Sequence, residues 1–181
     1  MTSDDARPAS SQRPRPLTAE LVVQEPAALA IAHRVAPDRI ELCTGLALGG
    51  LTPSIGLLDA AVAVRAAGGP AVHVLIRPRT GTFVHDADEI DVMVRDVREA
   101  VARGADGVVV GAARRRDTDT GPGTALDLAA IGAMREAAGG AEVTVHRVVD
   151  GEGRAVLDED LARAFVAAVR ASRRQPPDTN A

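Results

Sequence analysis

Glu41, Arg77 and His146 each stand at the C-terminal end of a short β-branched run (RIELC, AVHVLIR and EVTVHR). A carboxylate and an imidazole held in one place can act as general base and acid, and Glu41 and His146 are the candidates. Guanidinium forks suit carboxylate or phosphate, and Arg77, Arg79 and Arg147 supply three, the first two separated by Pro78. Cys43 is the only cysteine. Thiolate and imidazole are soft ligands that suit Cu(I), so Cys43 and His146 also form a candidate metal pair. The segment from Gly45 to Ser54 ends at a helix start rich in glycine and hydroxyl groups, a feature that holds anions.

Each residue has a structural reading beside the chemical one. Glu41 can be an inward carboxylate paired with arginine, and Cys43 a small buried hydrophobe. His73 lies roughly 13 Å deeper than Arg77 at about 3.3 Å per residue, which suits a core histidine better than a ligand. Arg114–Arg116 reads as a solvated turn, and His33 and His85 carry no assignment.

The elements that must position these groups alternate β-branched runs with longer helical stretches, the mark of parallel β/α units. Strands are expected at Glu20–Gln24, Arg39–Cys43, Ala71–Arg77, Gly107–Gly111 and Glu142–Arg147, with helices over 26–35, 54–67, 88–103 and 124–138. Ile90, Val94, Val97 and Val101 share one helical face, Asp86 or Asp88 can cap that helix, and Ser54 and Thr124 sit where N-caps belong. Alternation along the strands puts Glu41 with Cys43, His73 with Leu75 and Arg77, and Thr144 with His146 on inward faces. The fold expected is α/β of the (β/α) TIM-barrel type, incomplete, with about five parallel strands. A last helix is expected at 158–172. The domain runs over 19–172, flanked by polar, disordered tails at 1–18 and 173–181.

Composition narrows the function. The chain of 181 residues has no lysine, so neither a Schiff-base amine nor a P-loop lysine is available. Two Phe, no Trp, no Tyr and a net charge of −4 argue against nucleic acid as a partner. The N-terminal stretch has no apolar region of a secretory signal, and no run reaches the ~18 apolar residues of a membrane span. A lone cysteine fits a reducing compartment, the cytoplasm.

RIELC, GGLTPSIG, IRPRTGTF and VTVHRVVD, in this order and spacing from about residue 20 to 150, resemble the CutC family, named for copper homeostasis. The resemblance implies a cytoplasmic (β/α)₈ barrel whose mouth cluster falls here on Glu41, Cys43, Arg77, Arg79, His146 and Arg147, with His73 inside. It implies copper binding through cysteine thiolate, here Cys43, and the soft-ligand preference of Cu(I) adds His146 as the partner ligand. This chain has Val22 and Val23 where relatives often carry cysteine on the first strand, and strands six to eight of the barrel are not found. The function expected is copper homeostasis with copper as cofactor. The alternatives are an enzyme or binder of a small anionic metabolite, with Glu41 and His146 as base and acid, and a truncated inactive member. Open sheet edges imply self-association.

Overall fold

A computed structural model describes residues 19–118 and 121–150. The terminal tails and the helix expected at 158–172 lie outside those residues. The first strand, β1 (Glu20–Val23), leads through α1 (Pro26–Val35) to β2 (Arg39–Leu42), and α2 (Ile55–Ala66) returns the chain to β3 (Ala71–Leu75). Next, α3 (Ala87–Ala102) leads to β4 (Gly107–Val110), followed by a hairpin of β5 (Ala113–Thr118) and β6 (Gly121–Leu126). Helix α4 (Leu128–Ala138) and β7 (Glu142–Val145) follow, and short 3-10 turns stand at Leu46–Leu48 and Arg147–Asp150. The sheet is parallel throughout, in the order β1-β2-β3-β4-β7. Among the described residues β1 and β7 each have one neighbour, so the sheet is an open arc of a (β/α) barrel.

Local chemistry explains the helix starts. Asp86 and Glu89 form a reciprocal capping box on α3, each side chain satisfying the other's backbone N–H. Ser54 Oγ accepts from Leu57 N at 3.3 Å on α2, and Pro26 opens α1, where a missing N–H costs nothing. Ile40, Leu42, Val72, Val74, Ile76, Val108 and Val110 turn outward to meet Met93, Val97 and Met134 of α3 and α4. Each such side chain contributes about 1.5–3 kcal/mol by leaving water. The opposite face carries Cys43, Leu75 and Val109 as a small buried cluster.

Two expectations are corrected. The arginine run is strand β5, pairing antiparallel with β6 so that Arg115 faces Thr124, and all three arginines are exposed. Thr124 therefore caps nothing. Helix α4 starts at Leu128, with Asp127 Oδ1 accepting from Ala130 N at 3.0 Å. The hairpin is tied back by Ala113 N donating to Phe83 O at 2.8 Å, and its Ala113 and Leu126 pack with Phe83 and Val148. No described helix is long and apolar enough to cross a membrane.

Candidate functional site

The strands pair with Glu41 opposite His73, His73 opposite Gly107, and Gly107 opposite Glu142. A cleft of about 390 Å³ opens on the inward face, a volume typical of small-ligand sites. Its lining climbs along the strands from one edge to the other: Glu20 and Glu41 on β1 and β2, Leu75 and Arg77 at the end of β3, Val109 on β4, and Thr144 to Arg147 at the end of β7. Strands tilted as in a barrel produce such a climb. It brings Glu41 and His146 onto one cleft although His146 lies four residues beyond the partner row of Glu41.

Arg77 leaves the ladder at the end of β3, where its N–H donates to Thr52 Oγ1 at 2.9 Å and its carbonyl accepts from Thr52 N at 3.0 Å. The residue is only 4% exposed. Nη1 donates to the carbonyls of Gly49 and Gly50, both at 3.1 Å, and more weakly to Leu48 O at 3.4 Å; Nη2 donates to Gly81 O at 2.9 Å. Gly49 and Gly50 take φ of 90° and 83°, values that turn these carbonyls toward the guanidinium and that side chains disfavour. Residues 48–50 of the glycine-rich loop thus offer acceptors to a cation. Arg77 Nε is buried without a partner, and the guanidinium lies 4.9 Å from the Phe83 ring centroid. Among the described residues no carboxylate pairs with Arg77, and burial, then the charges of Arg147 and Arg79, pushes it below the usual arginine range. A Cβ on Gly49 would lie 2.9 Å from Arg77 Nη1 and 3.6 Å from Arg147 Nη2, so two guanidiniums meet over this glycine.

His146 lies against Phe83, with ring centroids 4.8 Å apart, and covers Gly111, where a Cβ would stand 2.2 Å from its Cε1. The N–H of Val148 donates to Nδ1 at 3.1 Å. A neutral imidazole that accepts at Nδ1 carries its proton on Nε2. That Nε2 is buried without a partner. Burial first, then Arg77, Arg147 and His85, lowers the His146 pKa to about 4. Glu41 moves the other way, raised by burial and then by Glu20, with Arg39 opposing.

The remaining candidates lie elsewhere. Cys43 is fully buried against Leu75 and Val109, outside the cleft lining, and burial followed by the charge of Glu41 raises its thiol pKa. Arg79 also leaves the cleft. It pairs with Glu89 of the α3 cap, donates to Val84 O at 2.9 Å, and holds Glu89 at about 2. His73 is 2% exposed, with Nε2 3.5 Å from Glu142 Oε2, beneath the cleft. Among the described residues no three His, Cys, Asp or Glu side chains gather to hold a metal. Of the candidate Cu(I) pair, His146 lines the cleft and Cys43 does not. Glu20, Thr52 and Phe83 are site residues not singled out from the sequence, although Thr52 and Phe83 stand within GGLTPSIG and IRPRTGTF; Phe83, one of two Phe, is the most legible signal.

A parallel β/α arc with its polar groups at the C-terminal strand ends defines a protein of the (β/α)-barrel class. The CutC family profile matches residues 17–160. A family protein CutC of Agrobacterium fabrum is 42% identical over 154 residues, covering 85% of this chain and 55% of that protein. One from Xanthomonas campestris is 49% identical over 112 residues, covering 62% and 42%. The solved structure of a candidate copper homeostasis protein CutC from Streptococcus agalactiae superposes with a TM-score of 0.72 at 26% identity, covering 87% of this chain and 70% of that one. The chain belongs to the CutC family. It spans about half the length of the curated relatives it matches.

Proposed function

We propose that the cleft binds a small anionic metabolite, with Arg77 and Arg147 as its cationic wall and Glu41 and His146 as proton-transfer groups. One observation carries this reading: a buried guanidinium beside a second one, with no carboxylate partner among the described residues. Burying a charge without a counter-ion is costly, and an anionic ligand removes that cost. Inorganic phosphate should raise the melting temperature by mass action on the folded chain. Arg147→Ala should abolish the rise with little loss of stability, because Arg147 is exposed. An unchanged rise in that variant would sink the reading.

Copper binding, with Cys43 and His146 as Cu(I) ligands, is the second reading, and the name given to the Streptococcus agalactiae structure favours it. The buried thiol, its raised pKa and its place outside the cleft lining weigh against it. A competition titration against a Cu(I) chelator decides. A site lost in Cys43→Ser would restore copper; the anion reading expects no Cys43-dependent site. We place the protein in the cytoplasm, where a lone thiol stays reduced. The unpaired backbone edges of β1 and β7 among the described residues support self-association, which sedimentation velocity measures directly.

A further inference from the structure

We infer that the cleft is built for proton transfer beside a carbonyl, acting on a small hydroxy-carbonyl compound that bears a phosphate or carboxylate. The inference rests on the anion reading and deepens it. Three placements carry it. Arg77 and Arg147 crowd one point over Gly49, where an anionic end would sit. The Nδ1 of His146 is occupied by the Val148 N–H, which leaves a buried Nε2–H with no acceptor in the described cleft wall. Glu20 and Glu41 line the same cleft from β1 and β2, Glu20 paired with Arg39 and Glu41 without an ion-pair partner among the described residues.

A buried donor without an acceptor costs free energy, so its persistence calls for a ligand oxygen. A neutral imidazole N–H pointed at a carbonyl oxygen stabilises the negative charge that develops there on enolisation. The step balances without a co-reactant. The Glu41 carboxylate takes the proton from the carbon that bears the hydroxyl, and that C–H pair becomes the C=C bond of an enediolate. The carbonyl π pair moves onto oxygen, where His146 Nε2–H holds it. Return of the proton to the former carbonyl carbon, with one proton passing between the two oxygens, gives the isomeric hydroxy-carbonyl. Phe83 lies under both Arg77 and His146, so one aromatic ring fixes the spacing between anion clamp and oxyanion donor.

The probe is 2-phosphoglycolate, whose planar carboxylate copies the shape and charge of the enediolate. The control is glycerol 3-phosphate, which has the phosphate and hydroxyls but no carbonyl. Calorimetry on the full chain, in two buffers of different ionisation enthalpy, reads affinity and proton uptake together. We expect at least roughly tenfold tighter binding of 2-phosphoglycolate, because a hydrogen bond to an ionised acceptor is worth that much. We also expect uptake of about one proton, since two carboxylates at one place cannot both stay ionised. Glu41→Gln should abolish the uptake. His146→Ala should erase the preference, and His146→Gln, which restores an amide donor, should recover part of it. Equal affinity for the two phosphates in the wild type overturns the inference and leaves the anion site standing. Failure of both phosphates, and of inorganic phosphate, to bind overturns the inference and the anion reading together. Both of these outcomes are measured on the wild-type chain, so neither depends on a variant folding.

Discussion

Two histidines on the inward face of this sheet solve one packing problem in two electrostatic settings. His73 and His146 each lay an imidazole over a glycine of the neighbouring strand segment, Gly107 for the first and Gly111 for the second. At the lower pole His73 stands 3.5 Å from Glu142, and Arg39 pairs with Glu20 and approaches Glu142 at 3.7 Å. Cations and anions alternate there, and the histidine has a carboxylate beside its Nε2, although its Nδ1 is buried without a partner. At the mouth His146 faces Arg77 and Arg147, and among the described residues its ring accepts a hydrogen bond from a backbone N–H alone. An imidazole laid over a glycine thus serves both a buried ion-pair pole and a positively charged one. The uncompensated pole is where the proposed anion would supply the opposite charge.

The sharpest way to break this comparison is to fill each glycine. A Cβ on Gly107 would lie 2.8 Å from the Glu142 carbonyl as well as 2.7 Å from the His73 ring. Relief requires moving backbone in the β4–β7 ladder, so Gly107→Ala should cost about 3 kcal/mol in a urea melt. A Cβ on Gly111 meets the His146 ring at all three of its nearest contacts, and that ring can swing toward the open cleft. Gly111→Ala should cost less, about 1–2 kcal/mol, and should remove the phosphate-dependent rise in melting temperature. If Gly107→Ala removes that rise while Gly111→Ala spares it, the two poles have been assigned the wrong way round.

Arg77→Met comes next. It strips hydrogen bonds from carbonyls of two loops, at residues 48–50 and 81, and should cost about 2–3 kcal/mol. Arg77→Lys, which keeps the charge but loses the fork, should recover less than half. Full recovery by lysine would mean that the site needs only a positive charge there, with no loop clamp.

Much of this is legible in the residues. Period-two alternation gives the inward set, because strands buried between helices and a cleft must divide their side chains by face. The expected strand ends overrun by one or two residues, since Arg77 and His146 leave regular pairing to reach Thr52 and Val148. The β5–β6 hairpin escapes a reading of pattern: Arg114–Arg116 has no apolar alternation, and backbone pairing with a glycine-rich partner makes the strand. Spacing groups Arg79 with Arg77, yet Asp86 and Glu89 spell a capping box that gives Arg79 a partner. Tilt is the other unreadable quantity, because spacing within one strand says nothing about height across several.

The pH dependence tests the mouth at smaller amplitude. In the unfolded chain His146 binds a proton near 6.5, and in the folded one at about 4. The unfolded state holds more protons between those values, so stability is complete above about 6.5 and declines as pH falls toward 4. His73 and His85, both lowered by burial, act in the same sense, while Glu41, raised by burial, opposes them. A net loss of about 1–2 kcal/mol across that window is expected. His146→Gln should flatten the acid limb. A limb of unchanged slope would mean that His146 is already charged or solvated in the fold.

The smallest effect separates the poles most directly, by removing one charge from each. Glu142 raises the His73 pKa, and Arg147 lowers that of His146. Glu142→Gln should therefore move His73 further down, and Arg147→Gln should move His146 up. Both charges are exposed, so neither change should alter stability by more than about 0.5 kcal/mol. Ring-proton NMR titration follows both histidines in one sample of each variant. Opposite shifts, each confined to its own pole, are expected, because the charges that act on His73 (Arg39, Glu142, Glu20 and Asp106) and those that act on His146 (Arg77, Arg147 and His85) are separate sets. A shift of both histidines in the same direction in either variant would mean that the two poles share one electrostatic field, and the division between a compensated floor and a charged mouth would fall.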